Sequence, residues 1–458
     1  MEETKLRKAS KAYYSDALKS LKDFISINSI YDEKTVTSQT PFGFGVRKAL
    51  DYIGNLATKM GFKVDYCDHY CTEISYGEGD CLDIYAHADV VPVSKDWKHD
   101  PFVPTIENDQ MFGRGTSDDK GPAIAALYAL KMIKDMGLIK GYKVRLIIGG
   151  NEERGSACLE HYFHAMKKNY PFYGFTPDGD FPLIYGEKGI YSYSATYSIG
   201  DKTIPSFNFG EATNIVLADA NIILNDVENL REKVEKYASL HKDIKVTLVD
   251  NNVIFKGKAC HGSVPWDGVN AGLHMLNFLG TVKNNKILCN VFADYEKGDG
   301  KNYQGDYSST HFADSSYCIG KMEYDGDKLT VVVNMRLPET IDKNDAIKNV
   351  ADKTGANIKY LGGSDALLVE PSSPLITLLM KAYQDETGDH VSKPEAIGGG
   401  TYARESKNSV AFGSKFVGRD NRIHDDEEFI DLCDFYNSIS IYAAGIKYLG
   451  EDIARKRK

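Results

Sequence analysis

The sequence of 458 residues predicts an α/β protein with a second, α+β domain inserted into it. Short apolar segments alternate with segments of helical periodicity near both ends of the chain, which is typical of a sheet flanked by helices. Between Gly189 and Pro371 the strands become shorter, which indicates a separate domain. A chain this long also exceeds what one hydrophobic core usually supports. We therefore expect a domain with a central mixed sheet over 1–188 and 371–458, and an inserted α+β domain over 189–370.

Periodicity and breaker residues predict the individual elements. In the first domain they predict, in chain order, a helix at 18–25, a helix at 46–60, strands at 62–66 and 82–86, a helix at 122–136, a strand at 143–148, a helix near His161, a helix at 375–386 and a closing helix at 429–449. In the insertion they predict strands at 191–197 and 246–248 and helices at 226–240 and 271–279. The stretch 294–306, rich in Gly, Asp and Tyr, is predicted to be a mobile loop.

Composition excludes several classes of protein. The net charge of -10, with no basic tract longer than the last four residues, argues against nucleic acid as a partner. No segment approaches the ~20 apolar residues of a membrane span, and the charged first residues do not resemble a signal peptide. Eight cysteines without repeated spacing indicate reduced thiols. We expect a cytoplasmic protein with no membrane partner.

Two adjacent glutamates, Glu152 and Glu153, follow the apolar run 144–148. Consecutive carboxylates at the end of a buried strand repel each other unless a cation holds them. A metal ion would resolve this conflict, with one glutamate as ligand and the other free as a water-activating base. An exposed acidic turn is the alternative.

Four further residues of the metal-ligand type lie in turn-like segments beside regular elements: His87, Asp118, Asp178 and His424. Carboxylates with two imidazoles suit Zn²⁺, Mn²⁺ or Co²⁺.

His87 and Asp89 end a predicted strand with both side chains on one face, so the Asp89 carboxylate can hold the imidazole and fix its tautomer. A purely structural pair is the alternative.

In the segment 113–122, three glycines permit a tight turn that would deliver a carboxylate to a metal just before a helix. Here the alternative is that Asp118 or Asp119 caps that helix. His87, Glu152 and Glu153 follow strands, as sites in open α/β sheets do.

Seven segments in this order match a known family. They are His87-Ala88-Asp89, 113–122, Asn151-Glu152-Glu153, Thr176-Pro177-Asp178, 257–263, 398–404 and His424. The sequence resembles the M20 peptidases, hydrolases with two co-catalytic metals, and most closely their PepV-like dipeptidase branch. Two positions depart from the family pattern: Asn151 and Tyr402 stand where many members carry aspartate. Asn151 is not a ligand position, and Tyr402 favours the dipeptidase branch.

The resemblance implies two divalent metal ions, in the first place Zn²⁺, with Mn²⁺ or Co²⁺ as alternatives. It implies that Asp118 bridges them, that His87 and Asp178 complete one site, and that Glu153 and His424 complete the other. Glu152 would then be the general base.

The resemblance also implies that the insertion is a lid. His261 matches a lid histidine that stabilises the oxyanion, and Asn214 and Arg336 match lid positions that hold the substrate. Further substrate contacts are expected from Gly400, Thr401 and Arg404. An insertion of about 180 residues has the size of a full domain. It resembles the enlarged lid by which the dipeptidase branch completes its site within one chain, and this resemblance implies a monomer.

The function expected from this resemblance is a dipeptidase that uses a metal-bridging hydroxide, with β-alanyl dipeptides among the substrates to be tested. An N-acyl amino acid deacylase or a carboxypeptidase would use the same ligands and is the first alternative. A non-catalytic peptide-binding protein is the second, although such a protein would be expected to have lost Glu152 or a ligand, and none is lost.

Overall fold

The structure is a computed structural model that describes residues 3–457. Within that range the chain forms two compact units, of which the first takes residues 3–186, 369–395 and 401–457. The inserted unit takes Glu187–Leu368 and Ala396–Gly400.

The helices of the described residues are α1 Lys5–Ser10, α2 Tyr14–Ile25, α3 Phe44–Lys59, α4 Lys120–Asp135, α5 Ala157–Glu160, α6 Leu230–Leu240, α7 Ala271–Val282, α8 Lys286–Tyr295, α9 Lys343–Thr354, α10 Pro374–Thr387 and α11 Leu432–Lys456. The strands are β1 Lys63–Asp65, β2 Cys71–Gly77, β3 Cys81–His87, β4 Thr105–Glu107, β5 Gln110–Phe112, β6 Lys143–Gly149, β7 Tyr173–Thr176, β8 Ile184–Glu187, β9 Gly189–Ser198, β10 Phe207–Phe209, β11 Asp219–Ile223, β12 Lys245–Val249, β13 Asn252–Lys256, β14 Ser316–Tyr324, β15 Lys328–Leu337, β16 Asn357–Ser364, β17 Leu367–Leu368, β18 Glu395–Ile397, β19 Ser409–Ala411 and β20 Phe429–Asp431.

The first unit is built on a mixed sheet in the order β1-β2-β6-β3-β7-β19-β8. Strand β3 pairs in parallel with β6 and β7, whereas β2 pairs antiparallel with β6. The register sets His87 opposite Gly149, so β3 and β6 end side by side. Because parallel strands share their carboxyl edge, the segments after His87 and Gly149 begin at the same place. The prediction of an α/β fold with a central mixed sheet is confirmed.

Apolar side chains explain why this sheet lies inside the unit. In β3 and β6 nearly every residue is buried, as expected for strands that are covered on both faces. Helix α4 is also buried along most of its length and packs against α11. The strands and helices that bear the site therefore form the rigid centre of the unit.

The inserted unit is antiparallel. A five-stranded sheet runs in the order β10-β14-β15-β9-β16, and a three-stranded sheet in the order β11-β13-β12. Along β9, buried residues alternate with partly exposed ones, which is the pattern of a strand with one face on a core. Helices α6, α7, α8 and α9 belong to this unit, and the α+β prediction is confirmed.

Three observations differ from the predicted elements. The closing helix starts at Leu432 rather than at 429, because Phe429–Asp431 pairs with β5 as a strand. Helix α6 starts at Leu230 rather than at 226, after Asn229 in the left-handed conformation. The predicted loop at 294–306 overlaps the end of α8 and contains the buried Tyr303.

One segment lies on the other side of the predicted domain border. Residues 396–400 were expected in the first domain, but they group with the inserted unit. The reason is visible in two hydrogen bonds: Arg336 Nη1 donates to the Gly398 carbonyl at 3.0 Å, and the Lys188 amide donates to the Ile397 carbonyl at 3.0 Å.

Among the described residues, no helix combines the length and the apolar character that crossing a membrane requires.

Candidate metal centre

His87 ends β3 with its imidazole fully buried. Its Nδ1 lies 2.9 Å from the backbone carbonyl of Asp89, and the nearer Asp89 carboxylate oxygen is 3.6 Å away. A carbonyl can only accept, so Nδ1 carries a hydrogen, and Nε2 is the nitrogen that faces the carboxylates and could bind a metal ion. The sequence predicted the carboxylate of Asp89 as the orienting group, but the carbonyl of the same residue is the closer partner.

The carboxylate of Asp89 instead holds the two glutamates in place. One of its oxygens accepts from the Glu152 amide and the other from the Glu153 amide, both at 3.1 Å. Asp89 is itself 2 % exposed, so this contact is buried. The turn that leaves β6 is thereby fixed to the turn that leaves β3.

Asp118 lies between the two histidines. Its Oδ1 is 2.9 Å from Nε2 of His87, and its Oδ2 is 2.8 Å from Nε2 of His424. A Glu153 oxygen lies 3.2 Å from the same His424 nitrogen, and an Asp178 oxygen lies 3.8 Å from Nε2 of His87. The structure therefore brings together all five predicted ligands, with the two oxygens of Asp118 facing different histidines.

Glu152 is part of the same cluster. Ligand atoms of His87, Glu152 and Asp178 lie within 4.8 Å of one another, as do those of His87, Asp118 and Glu153. Either group could hold a metal ion by its chemistry. Distance alone therefore permits Glu152 to be a ligand as well as a base, and an experiment must separate these roles.

The electrostatics of this cluster favour a bound cation. Burial raises the pKa of Glu152 well above its usual range, and the nearby Asp178 raises it further. Burial and the nearby Asp118 raise the pKa of Asp178 to about 7. Burial and the nearby Asp118 also raise the pKa of Glu153. These carboxylates outnumber the two imidazoles, and divalent ions would compensate the excess charge.

The contacts between Asp118 and the histidines shift the pKa values of Asp118 and His424 in opposite directions. Burial would raise the pKa of Asp118, but hydrogen bonds from His424 and His87 lower that pKa below its usual range. Burial would lower the pKa of His424, but its hydrogen bonds to Asp118 and Glu153 outweigh this and raise that pKa to about 11. Among the four carboxylates of the cluster, Asp118 is the one whose pKa is lowered, which suits a bridging position.

Glu428 positions Asp118 and was not predicted from the sequence. This carboxylate is fully buried and accepts from Arg114 Nη1 at 2.9 Å. It also accepts from three amides of the glycine-rich turn, those of Gly115 at 2.9 Å, Ser117 at 2.8 Å and Asp118 at 3.1 Å. The acidic run that follows His424 was the only available signal for this residue.

Capping does not explain the paired aspartates. Asp119 is the N-cap residue of α4, but its side chain makes no capping hydrogen bond. Its carboxylate is fully buried and accepts from the His87 amide at 3.0 Å. Asp118 supplies oxygens to the cluster, and Asp119 fixes the backbone of His87.

Tyr402 packs directly behind the cluster. Its ring meets the His87 ring edge-on, with centroids 6.1 Å apart, and its hydroxyl lies 2.9 Å from the Cys158 sulfur. A Cβ on Gly149 would stand 2.2 Å from that hydroxyl, so only glycine fits at the end of β6. Aspartate at 402 would place a further buried carboxylate near Asp89 and Glu152.

The predicted substrate residues fall in both units. In the inserted unit, Asn214 and His261 are neighbours, because the Gly262 amide donates to the Asn214 carbonyl at 2.7 Å. Arg336 is joined to them through Ser316, which pairs with Arg336 in the sheet and donates to the Gly262 carbonyl at 3.0 Å. Gly400 also lies in this unit, whereas Thr401 and Arg404 lie in the first, in a short 3₁₀ helix that the Thr401 side chain caps.

A mixed α/β sheet with two histidines and four carboxylates gathered at its carboxyl edge defines a metal-dependent hydrolase. The chain belongs to Peptidase family M20/M25/M40, whose sequence profile matches residues 84–448. The protein is therefore a peptide-bond hydrolase.

Relatives and solved structures of this family extend over the whole chain. A dipeptidase-named protein of Staphylococcus haemolyticus is 34 % identical over 95 % of this chain and 97 % of its own length. The Saccharomyces cerevisiae dipeptidase Dug1p shares the fold with a TM-score of 0.61 at 16 % identity, over 97 % of this chain and 98 % of that one. Human carnosine dipeptidase 1 shares it with a TM-score of 0.60 at 14 % identity, over 98 % of both chains.

Proposed function

We propose that this protein is a metallodipeptidase whose two divalent ions are bridged by Asp118. One observation carries the proposal: the two oxygens of Asp118 face Nε2 atoms of different histidines, at 2.9 and 2.8 Å. With His87, Asp178 would complete one site, and with His424, Glu153 would complete the other. Zn²⁺ is proposed first, and Mn²⁺ and Co²⁺ suit the same ligands. When bound, such ions lower the pKa of a water molecule and polarise the carbonyl of the scissile bond.

Glu152 is proposed as the general base. Its amide is tied to the buried Asp89, so its backbone is fixed, while its carboxylate lies within 4.8 Å of ligand atoms of His87 and Asp178. From this position Glu152 accepts a proton from the attacking water and later donates it to the leaving amine. Asp89 contributes by orienting His87 and the Glu152-Glu153 turn.

The inserted unit is proposed to act as a lid over 189–370, and the rest of the chain as the catalytic domain. Arg336 is 3 % exposed, and its Nε donates to Asn334 at 2.7 Å, which pre-orients a guanidinium suited to the terminal carboxylate of a peptide. His261 Nδ1 lies 2.7 Å from the Ser263 hydroxyl, and this imidazole is proposed to stabilise the oxyanion. Asn214, Gly400, Thr401 and Arg404 are proposed as further substrate contacts.

The dipeptide assignment rests on relatives as well as on this geometry. The Staphylococcus haemolyticus protein carries the dipeptidase name and aligns over nearly its full length. We further propose that the protein works as a monomer in the cytoplasm, with small peptides as its partners. Eight free thiols agree with a reducing compartment.

A substrate panel tests this proposal. Enzyme stripped with chelator is reloaded separately with Zn²⁺, Mn²⁺ and Co²⁺, and is given dipeptides, β-alanyl dipeptides, tripeptides and N-acetyl amino acids. We expect metal-dependent hydrolysis confined to dipeptides. Cleavage of N-acetyl amino acids instead would assign the same centre to a deacylase, and cleavage of longer peptides from the carboxyl end would assign it to a carboxypeptidase. Inactivity with every metal would support a peptide-binding protein.

A further inference from the structure

A second group of metal-type ligands lies within the inserted unit. One ligand atom each from Asp243, His274 and Glu296 lies within 4.8 Å of the other two. They come from three separate elements: Asp243 from the loop between α6 and β12, His274 from α7, and Glu296 from the residue after α8. All three line a cavity of about 20 Å³, which is close to the room that a single water molecule or ion requires.

The imidazole of His274 is buried and aimed into this cavity, with the residue 2 % exposed. Its Nδ1 lies 3.1 Å from the Tyr237 hydroxyl, which also lies 3.1 Å from the His274 carbonyl and accepts from Asn277. The carbonyl can only accept, so the hydroxyl donates its single hydrogen to the carbonyl. Nδ1 must then donate its own hydrogen to the hydroxyl oxygen. Nε2 then presents its lone pair to the carboxylates. This is the tautomer that a metal-ligating histidine adopts.

Among the described residues, Lys297 is the one lysine or arginine that forms an ion pair with a carboxylate of this group. The Nε2 atom of His274 is 3.5 Å from an Asp243 oxygen, which is longer than a well-formed hydrogen bond. Lys297 lines the cavity, but its ammonium lies 3.7 Å from a Glu296 oxygen and its side chain is 66 % exposed. Burial lowers the pKa of His274 to about 4, so the imidazole is a neutral ligand at neutral pH. Glu296 also follows the carboxyl end of α8, where a negative charge is unfavourable without a cation.

A third group in the first unit shows the contrast. Asp65, Cys67 and Glu73 are also close enough to hold an ion. There, however, the Lys168 ammonium lies 2.9 Å from both Asp65 and Glu73, so a side-chain cation already occupies the position. Among the described residues, no lysine ammonium lies as close to the carboxylates of the group around His274.

We propose that Asp243, His274 and Glu296 bind a structural divalent ion, of the class of Zn²⁺ or Mn²⁺, with water completing the coordination. One imidazole with two carboxylates suits these ions. The ion would join α7 to the end of α8 and to the loop before β12. This site is separate from the centre at Asp118, and the inference does not depend on the proposed function.

Metal content tests this inference. Full-length enzyme is stripped with chelator, dialysed against Zn²⁺ and analysed for bound zinc per chain. We expect Glu296→Gln and Asp243→Asn each to bind one ion fewer than the wild type, with peptide hydrolysis unchanged. Glu235→Gln, which removes the same charge from an exposed position of α6, should bind as many ions as the wild type. Equal zinc content in all four proteins would overturn the site.

Thermal unfolding gives a second measurement that does not depend on counting ions. Adding Zn²⁺ should raise the melting temperature more for the wild type and Glu235→Gln than for Glu296→Gln. Because His274 is buried, His274→Gln would also change packing, so the two carboxylate variants carry the test. An equal zinc-induced shift in Glu296→Gln and Glu235→Gln would contradict the proposal.

Discussion

The two clusters of carboxylates and imidazoles are built by different means. In the centre around Asp118, four of the six side chains stand at or just after the ends of strands β3, β6 and β7, and backbone amides that donate to the carboxylates of Asp89 and Glu428 fix the turns. In the group around His274, the ligands come from helices and a loop, and Asp243 is exposed. Bound cations or protonation would compensate the excess of partly buried carboxylates in the first cluster, whereas solvent can stabilise an exposed group without an ion. The protein should therefore depend on the first cluster far more than on the second.

The largest effect is expected from Asp118→Asn. Losing the charged carboxylate that both histidines face should reduce the content of both ions and lower kcat/KM for dipeptides by about 10³-fold or more. Bound metal and kcat/KM are measured together on the same preparation. Asp425→Asn, the same change at an exposed neighbour of His424, is the control and should stay close to the wild type. A metal-replete, active Asp118→Asn enzyme would remove Asp118 from the bridging position.

Glu428→Gln tests the support of the centre rather than its chemistry. Breaking the buried pair with Arg114 should lower the free energy of unfolding by about 3 kcal/mol, because it leaves the guanidinium without a counter-charge. Chemical denaturation of the metal-free enzyme measures this. Glu451→Gln breaks an exposed pair with Lys447 and should cost less than about 1 kcal/mol. Equal losses in the two variants would mean that Glu428 does not support the turn.

Arg336→Ala tests the inserted unit. Without a guanidinium for the terminal carboxylate, KM for dipeptides should rise by about 10- to 100-fold, from the loss of charge-assisted hydrogen bonds. The control is chemical: a dipeptide amide has no such carboxylate, so wild type and variant should hydrolyse it with similar KM. Arg231→Ala, at an exposed position of α6, should leave both values unchanged. An increase in KM that is the same for the amide would show that Arg336 is structural.

The smallest effect is a pH dependence of opposite sign in the two clusters. In metal-free enzyme, Asp178 has a pKa of about 7 against a usual 3.8, so the folded state binds more protons between these values. Its contribution makes stability fall as pH rises through that range. His274 has a pKa of about 4 against a usual 6.5, so its contribution makes stability fall as pH drops through that range.

Melting temperatures of chelator-treated enzyme across pH 4 to 7 measure both contributions. Asp178→Asn should remove part of the decrease in melting temperature at higher pH. His274→Gln should remove part of the decrease in melting temperature at lower pH. If both substitutions change the dependence of melting temperature on pH in the same direction, the assigned pKa shifts are wrong.

Much of the fold was predictable because periodicity reports burial directly. The strands at 82–86 and 143–148 are mostly apolar, and their parallel pairing brings His87 and Glu152 to one edge. Contacts distant in sequence were not predictable. Glu428 lies about three hundred residues from the turn it supports, the start of α11 depends on pairing with β5, and residues 396–400 group with Arg336. Nor does the sequence distinguish the carbonyl of Asp89 from its carboxylate as the partner of His87.

Glu152→Gln, analysed for bound metal and for dipeptide hydrolysis, tests the central claim most directly. The substitution keeps the shape of the side chain and removes the proton acceptor, so as general base it should reduce kcat by about 10²- to 10⁴-fold with metal content unchanged. Near-normal hydrolysis would contradict the assigned base, and loss of an ion together with activity would make Glu152 a ligand of the His87 and Asp178 site.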